Sequence, residues 1–365
     1  MKTTKIFTVF FLTITLIGCN KKTSNDNWAS YRGNIQNTGY YSGNAPQKLS
    51  ELKWKFKTED KVLSSPAVAG GMVFFGSEDN YLYAVDVKTG QEKWKFKTEA
   101  SVQSSPAVAD GMVFFGSHDK YLYAVDINTG QEKWKFKTED DVSSSPAVAD
   151  GMIFFGSHDK YLYAVDIKTG QEKWKFKTKA SVSSSPAVAD GMVFFGSFDS
   201  NMYAVDLKTG QENWKFKIGD YLSSSPAVAD GMVFFGSWDN YLYAVDVKTG
   251  QENWKFKTKK YVFSSPAVAG GMVFFGSEDN YLYAVDVKTG QEKWKFKTEE
   301  DVFSSPAVAD GLVFFGSTDN HLYALDVKTG QKKWKFKTED AVSSPAVADG
   351  MVFFGSNDNY LYVVK

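Results

Sequence analysis

The chain has 365 residues, 42 Lys and Arg against 43 Asp and Glu, and one cysteine. With charge near balance and Arg32 the sole arginine, no basic stripe exists to hold nucleic acid, and a lone cysteine offers no disulfide to staple a fold. Hydrophobic residues make up 43% and aromatic residues 16% of the sequence, enough for a sizeable core, with the aromatics held at recurring positions.

In chain order, residues 1–19 read as a targeting segment. Lys2 and Lys5 precede an apolar run, Ile6–Ile17, that is too short for a comfortable spanning helix. Leu16-Ile17-Gly18-Cys19 resembles a bacterial lipobox, which implies acylation of Cys19 and anchoring to the lipid bilayer; an uncleaved anchor helix with a chance cysteine is the competing reading. The expected location is the cell envelope. Asn20 stands where an inner-membrane retention signal would carry Asp, so a cell with two membranes would hold the chain in its outer membrane, facing the periplasm. Residues 20–50 are a polar tether and lead-in.

Residues 51–365 form one domain of repeats. A 40-residue unit recurs eight times from Trp54, its tryptophan returning at Trp94, Trp134, Trp174, Trp214, Trp254, Trp294 and Trp334, and only the last copy is one residue short, before Ala341. Each unit carries four runs rich in Val, Phe, Tyr and Trp, cut by turn residues, with no helical period. The first full unit places strands at 64–69, 72–76, 81–86 and 92–98. Gly70-Gly71 suits a two-residue hairpin, while Asp79-Asn80 and Lys88-Thr89-Gly90 suit the other turns. Four antiparallel strands in such a unit make one propeller blade. Small residues and Pro66 mark the innermost strand; alternating lysines mark the outermost, where they blunt an edge.

The ends predict closure. The repeat begins with an outer strand, Lys53–Thr58, and stops after three inner strands at Lys365, so the two fragments complete an eighth blade. The expected fold is all-β: an eight-bladed propeller of four-stranded antiparallel blades, closed by pairing the N-terminal outer strand with the C-terminal strands.

Ala84-x-Asp86-x-x-Thr89-Gly90-x-x-x-Trp94 resembles the tryptophan-docking motif of quinoprotein propellers, whose enzymatic members bind pyrroloquinoline quinone. The resemblance implies that Trp94, Trp134, Trp174, Trp214, Trp254, Trp294 and Trp334 each stack on a glycine of the neighbouring blade. The motif occurs seven times and is cut short at Val363-Val364-Lys365. The segment from Trp28 through Tyr31-Arg32-Gly33-Asn34 to Asn37-Thr38-Gly39 also resembles the lead-in of such propellers.

Near-identical copies act as an internal control. They differ mainly in the loop 59–63 and its equivalents, and in the turn holding Glu78, His118, His158, Phe198, Trp238, Glu278, Thr318 and Asn357. In a four-stranded meander both lie on one face of the ring. There Phe198, Tyr221, Leu222, Trp238, Tyr261, Phe263 and Phe303 gather in adjacent blades, which is what a protein-binding patch requires; relaxed drift of loops after duplication is the alternative. His118 and His158 occupy equivalent turns of neighbouring blades, which invites a metal reading, but two ligands with no obvious carboxylate partner make a weak site, and a duplicated surface residue explains the pair as easily. His321 replaces the usual Tyr as packing. The recurrent Asp79 and Asp86 positions belong to turn chemistry, since an active site is needed once. The Ser-Ser pairs near the axis have no His or Lys beside them in sequence to activate a hydroxyl.

No catalytic, metal-binding or cofactor-binding residue stands out, so no cofactor and no enzyme activity are expected. Quinoprotein dehydrogenases add a calcium site and a catalytic Asp on irregular blades and insertions, and this chain has none. The resemblance therefore implies the non-catalytic lipoprotein branch, scaffolds of outer-membrane β-barrel assembly whose partners are proteins. A quinone-dependent dehydrogenase and a surface adhesin or sensor remain the alternative readings.

Overall fold

The computed structural model describes residues 31–365; Cys19, Trp28 and the rest of the segment before Tyr31 lie outside the described residues. Eight four-stranded antiparallel sheets form a closed propeller ring. Strand β1 (Leu52–Lys57) is followed by β2 (Ala67–Ala69), β3 (Met72–Gly76), β4 (Tyr81–Asp86) and β5 (Glu92–Lys97), and β2 to β5 make blade 1, innermost strand first. Six more blades repeat this order as β6 to β29 across residues 107–337. Blade 8 joins β30 (Ala346–Ala348), β31 (Met351–Gly355) and β32 (Tyr360–Val364) to β1, which pairs antiparallel with β32.

Three local rules set the blade. The Gly70-Gly71 and Asp110-Gly111 turns have positive φ at both residues (58° and 76°, 49° and 75°), the geometry whose twist matches the strands it joins. Successive side chains of β3 alternate between faces: Phe74 packs on Trp94 towards blade 2, while Phe75 stacks on Tyr83 and meets Phe56 towards blade 8. In the outer strand Trp94 pairs with Ala84 but Glu92 pairs with Val85. The intervening Lys93 is a bulge, which re-aims the strand, and its ammonium reaches Asp86 at 3.1 Å.

The innermost strand is shorter than expected, 67–69 and not 64–69, and the outer one ends at Lys97 and not Thr98. Pro66 has no N–H for a ladder, and the serines before it use their hydroxyls in place of pairing. Ser64 Oγ accepts from Gly76 N at 2.8 Å and donates to the Gly76 carbonyl at 2.9 Å. The next serine links blades: Ser65 N donates to Ser105 Oγ, and the relay passes through Ser145, Ser185, Ser225, Ser265 and Ser305 to Ser344 at 2.8–3.0 Å. The serine hydroxyls near the axis are thus part of the ring's own wiring.

Residues 31–50 complete the ring from inside. The carbonyls of Ile35, Gln36, Thr38 and Gly39 accept the N–H groups of Val188, Val228, Val268 and Val308, the inner strands of blades 4 to 7, at 2.7–2.9 Å. Arg32 is buried, and its guanidinium donates to the carbonyls of Asn37, Pro266 and Pro306. Burial lowers its pKa from the ordinary arginine value. Asn37 donates to the Pro186 carbonyl at 3.0 Å. Further on, Trp334 Nε1 donates to the Pro46 carbonyl at 2.8 Å. The lead-in therefore stands in for the docking turn that the shortened eighth copy lacks.

Candidate partner-binding face

The variable loops all open on one face and are held rigidly. In blade 1 the Asp79 carboxylate accepts from Glu59 N, Tyr81 N and the Tyr83 hydroxyl at 3.0, 3.2 and 2.8 Å. The same triad of contacts, with local variations, repeats around the ring, and the loop following each outer strand is tied to the neighbouring turn, as Glu78 N is to the Lys61 carbonyl. Side chains that differ between copies therefore project from nearly fixed backbone positions. The opposite face is built from the Asp86 type of turn, where one carboxylate oxygen accepts from Lys88 N, Thr89 N and the Thr89 hydroxyl. These bonds, led by the Thr89 N–H, hold the Asp86 carboxyl down at about 2.

On the variable face the structure brings Phe198, Tyr221, Trp238, Tyr261, Phe263 and Phe303 into one unbroken chain of rings. Phe198 lies 5.6 Å from Tyr221 and Tyr221 lies 5.4 Å edge-on to Trp238. Trp238 stacks on Tyr261 at 5.8 Å and meets Phe263 edge-on at 4.7 Å, and Phe263 lies 5.5 Å from Phe303. The Trp238 indole is oriented by donation to Ser223 Oγ at 3.0 Å. Tyr221, Tyr261 and Phe303 are 47%, 39% and 42% exposed, which makes the cluster a surface and not a core. Beyond Phe303 a cavity of about 270 Å³ opens between Leu63, Thr318 and Ser343.

Leu222 does not belong to this surface. It is fully buried and fills the place taken in other copies by Val102, packing against Gly196, where a Cβ would lie 2.4 Å from its Cγ. The backbone position, and not the apolar character, decides which loop residues face out.

Serines engage one ring nitrogen of each of the two histidines, while His118 Nδ1 also lies 3.9 Å from the Asp141 carboxylate and His118 Nε2 is buried without a partner among the described residues. His118 Nδ1 is 3.1 Å from Ser101 Oγ, and His158 Nε2 is 2.9 Å from both Ser143 and Ser183 Oγ. These serines lie in the variable loops, outside the axial Ser-Ser pairs, so sequence adjacency hid the His–Ser contacts. His321 Nδ1 faces the Asp319 carbonyl at 2.9 Å.

The near balance of charge over the whole chain also hid a local signal. The first residue of the variable loop is Glu in five copies, Gly at Gly219, and Lys only at Lys179 and Lys259, with Lys260 beside the latter. Those three loops surround Phe198, Tyr221, Trp238, Tyr261 and Phe263, with Phe303 in the acidic loop that follows. At the far edge of the cluster burial, with the Asp301 charge second, pushes the Glu278 carboxyl up.

A quinone–calcium pair is the cofactor that enzymatic members of this fold imply, and the residues present do not fit it. Among the described residues no three His, Cys, Asp or Glu side chains gather as a donor set. The recurrent carboxylates of the Asp79 and Asp86 types are engaged within their own turns and with the adjoining loops, although one oxygen each of Asp279 and Asp358 is buried without a partner among the described residues.

Tryptophan geometry completes the description. Trp94 Nε1 donates to the Ile127 carbonyl at 3.0 Å, and Trp174 Nε1 to the Leu207 carbonyl at 3.1 Å, each one blade onward. The ring lies so close to the next blade's turn that a Cβ on Gly130 would stand 2.6 Å from Trp94 Cε3, and Gly130 has φ of 69°. Trp134, Trp214, Trp254 and Trp294 make the same bond to Ile167, Val247, Val287 and Val327.

Eight blades locked by tryptophans, Trp54 to Trp294 on the next blade's glycine turn and Trp334, against expectation, on the Pro46 carbonyl of the lead-in, define a quinoprotein-like propeller. The chain belongs to the family described as outer membrane protein assembly factor BamB, whose profile matches residues 48–256, 199–305 and 254–365. Among curated proteins none matches it in sequence. BamB from Moraxella catarrhalis is similar in structure, with a TM-score of 0.76 at 16% identity over 86% of this chain and 99% of that one. The computationally designed Ika8 protein superposes with a TM-score of 0.78 at 20% identity, again over 86% and 99%. A quinohemoprotein alcohol dehydrogenase from Pseudomonas putida HK5 gives 0.79 at 17% identity over 93% and 80%. These likenesses establish the shared fold.

Proposed function

We propose that the chain is a lipid-anchored, non-catalytic propeller that binds other proteins through its variable face, acting as a scaffold in outer-membrane protein assembly. The observation that carries this reading is the continuous run of six aromatic rings, partly exposed, confined to adjacent blades of an otherwise uniform ring. Large rigid rings on a fixed backbone give much contact area at little entropic cost, which is the composition of binding hot spots. Family membership and the donor set of the turns both favour a scaffold over a dehydrogenase. Anchoring through Cys19 and placement in the outer membrane are parts of the same proposal.

The test is site-specific photo-crosslinking in intact cells. A crosslinking residue at Tyr261 is expected to give discrete protein adducts, and one at Lys168 on the opposite face is not. Trp238→Ala with Phe263→Ala should cut the Tyr261 yield severalfold while the protein still folds. Unchanged adducts from the double variant, or none from Tyr261, would overturn the assignment of the face. A calorimetric titration with pyrroloquinoline quinone and calcium should show no stoichiometric binding; tight one-to-one binding would restore the enzyme reading.

A further inference from the structure

The aromatic sector is also the one place where the charge of the variable face reverses. At five of the eight blade junctions the variable loop opens with Glu and is net acidic, as in Glu139-Asp140-Asp141 and Glu299-Glu300-Asp301; the loop at Gly219-Asp220 keeps a single acid, and only the two loops at Lys179 and Lys259-Lys260 are net basic. The three consecutive loops that open around Phe198 and Trp238 carry Lys179, Gly219 and Lys259-Lys260 where other copies carry Glu first, with Asp220 the only acid among them. All three lysines are exposed, and their backbone positions are fixed: Lys179 N donates to Asp199 and Lys259 N to Asp279. In a repeat this uniform, gain of rings and loss of acid are separate substitutions at separate positions. Tyr221, Tyr261 and Phe263 stand in two of these three loops and Phe198 and Trp238 in the turns beside them, while Phe303 lies in the acidic loop at the sector's edge; drift has no reason to place gain of rings and loss of acid side by side.

We infer that this sector binds an acidic polypeptide segment with apolar or aromatic anchors, the rings receiving the anchors and Lys179, Lys259 and Lys260 the carboxylates. The inference rests on the variable face being the partner site. Charge complementarity steers encounter and fixes register, and cations beside aromatic faces discriminate the sign of the partner. The acidic loops on the remainder of the face repel a second run of negative charge, so the occupant is a short segment and not an extended nucleic acid backbone. They also confine such a segment to blades 3 to 6.

The full chain in detergent is titrated, by fluorescence anisotropy, with labelled peptides of about twelve residues in which Phe and Trp alternate with Asp and Glu. A matched peptide carrying Lys for each acid is the control. The acidic peptide is expected to bind at least about ten-fold more tightly than the basic one, with affinity falling as salt rises. Lys179→Glu, Lys259→Glu and Lys260→Glu together install the charge seen elsewhere in the repeat, so folding is retained. They should lower that affinity about ten-fold or more and reverse the preference. Equal binding of both peptides, abolished by Trp238→Ala, would leave the partner face standing and sink the charge assignment. No binding of either peptide, with Trp238→Ala also silent in crosslinking, would remove the face itself. Tighter binding of a single-stranded oligonucleotide, or self-association of the chain lost in the triple variant, would likewise overturn the acidic-peptide reading.

Discussion

Two residue types, each repeated around the ring, hold the fold at short range. A docked tryptophan fills the gap between blades and satisfies its indole N–H on the next blade's carbonyl, so its removal leaves both a cavity and an orphaned acceptor. Trp174 is 9% exposed and bonded to Leu207; Trp174→Ala is expected to cost about 3–5 kcal/mol, measured by equilibrium urea unfolding. A loss under about 1 kcal/mol would show that the docking carries no stability. The second type is the buried tyrosine that donates to the turn aspartate, as Tyr83 does to Asp79 at 2.8 Å. Burial, with the aspartate second, raises the pKa of all eight such hydroxyls above the ordinary 10.0. A folded chain that holds these protons more tightly than the unfolded one keeps their contribution to stability in full below about pH 10 and loses it as pH rises beyond that. Absorbance from these eight tyrosinates should accordingly appear only as the chain unfolds. Their ionisation without unfolding would contradict the raised hydroxyls.

Elements differ in how far the sequence exposes them. Strands β3 and β4 and their equivalents are plain from the Val, Phe and Tyr runs between Gly and Asp turns, because alternation and turn chemistry are local. The inner strand is shorter than its run of small residues implied, since serine hydroxyls do there what a ladder would do elsewhere. The course of residues 31–47 was not legible. It depends on backbone carbonyls meeting backbone N–H groups, and backbone contacts leave no residue signature. Those contacts make a sharp expectation. Val188, Val228, Val268 and Val308 donate to the lead-in, while among the described residues no such acceptor meets Val68, Val108, Val148 or Val347. Near-identical inner strands should therefore exchange amide hydrogen at different rates, with the first four valines protected and the second four fast. Deleting residues 31–41 should bring the two sets together. Equal rates in the intact chain would mean that the lead-in does not hold the channel side of blades 4 to 7.

The whole molecule is fixed by how its ends meet. That much could be read from the sequence, because an outer strand at one end and three strands at the other sum to one blade; the role of Pro46 under Trp334 could not, since nothing in residues 42–50 resembles the motif it replaces. The lysines around Trp238 were readable in principle, once each copy was compared at one position and not the chain as a whole. Closure rests on β1 lying along β32 with Leu52 opposite Val364 and Lys57 opposite Tyr360, and Lys55 covers the Tyr360 ring at 4.1 Å. Removing residues 51–58 would leave β32 as an open edge bearing Tyr, Leu and Val, a template for pairing with another chain. The deleted protein is expected to unfold at lower temperature and to form concentration-dependent oligomers. Because the outer strands of all blades are nearly one sequence, a peptide of residues 91–98 should dock on that edge as well as one of residues 51–58. Either peptide should restore the monomer in sizing experiments and raise the melting temperature. A deletion variant that stays monomeric with an unchanged melting temperature would mean that the ring is held by its inter-blade tryptophans alone. Rescue by residues 51–58 but not by 91–98 would locate closure in the contacts peculiar to the first strand.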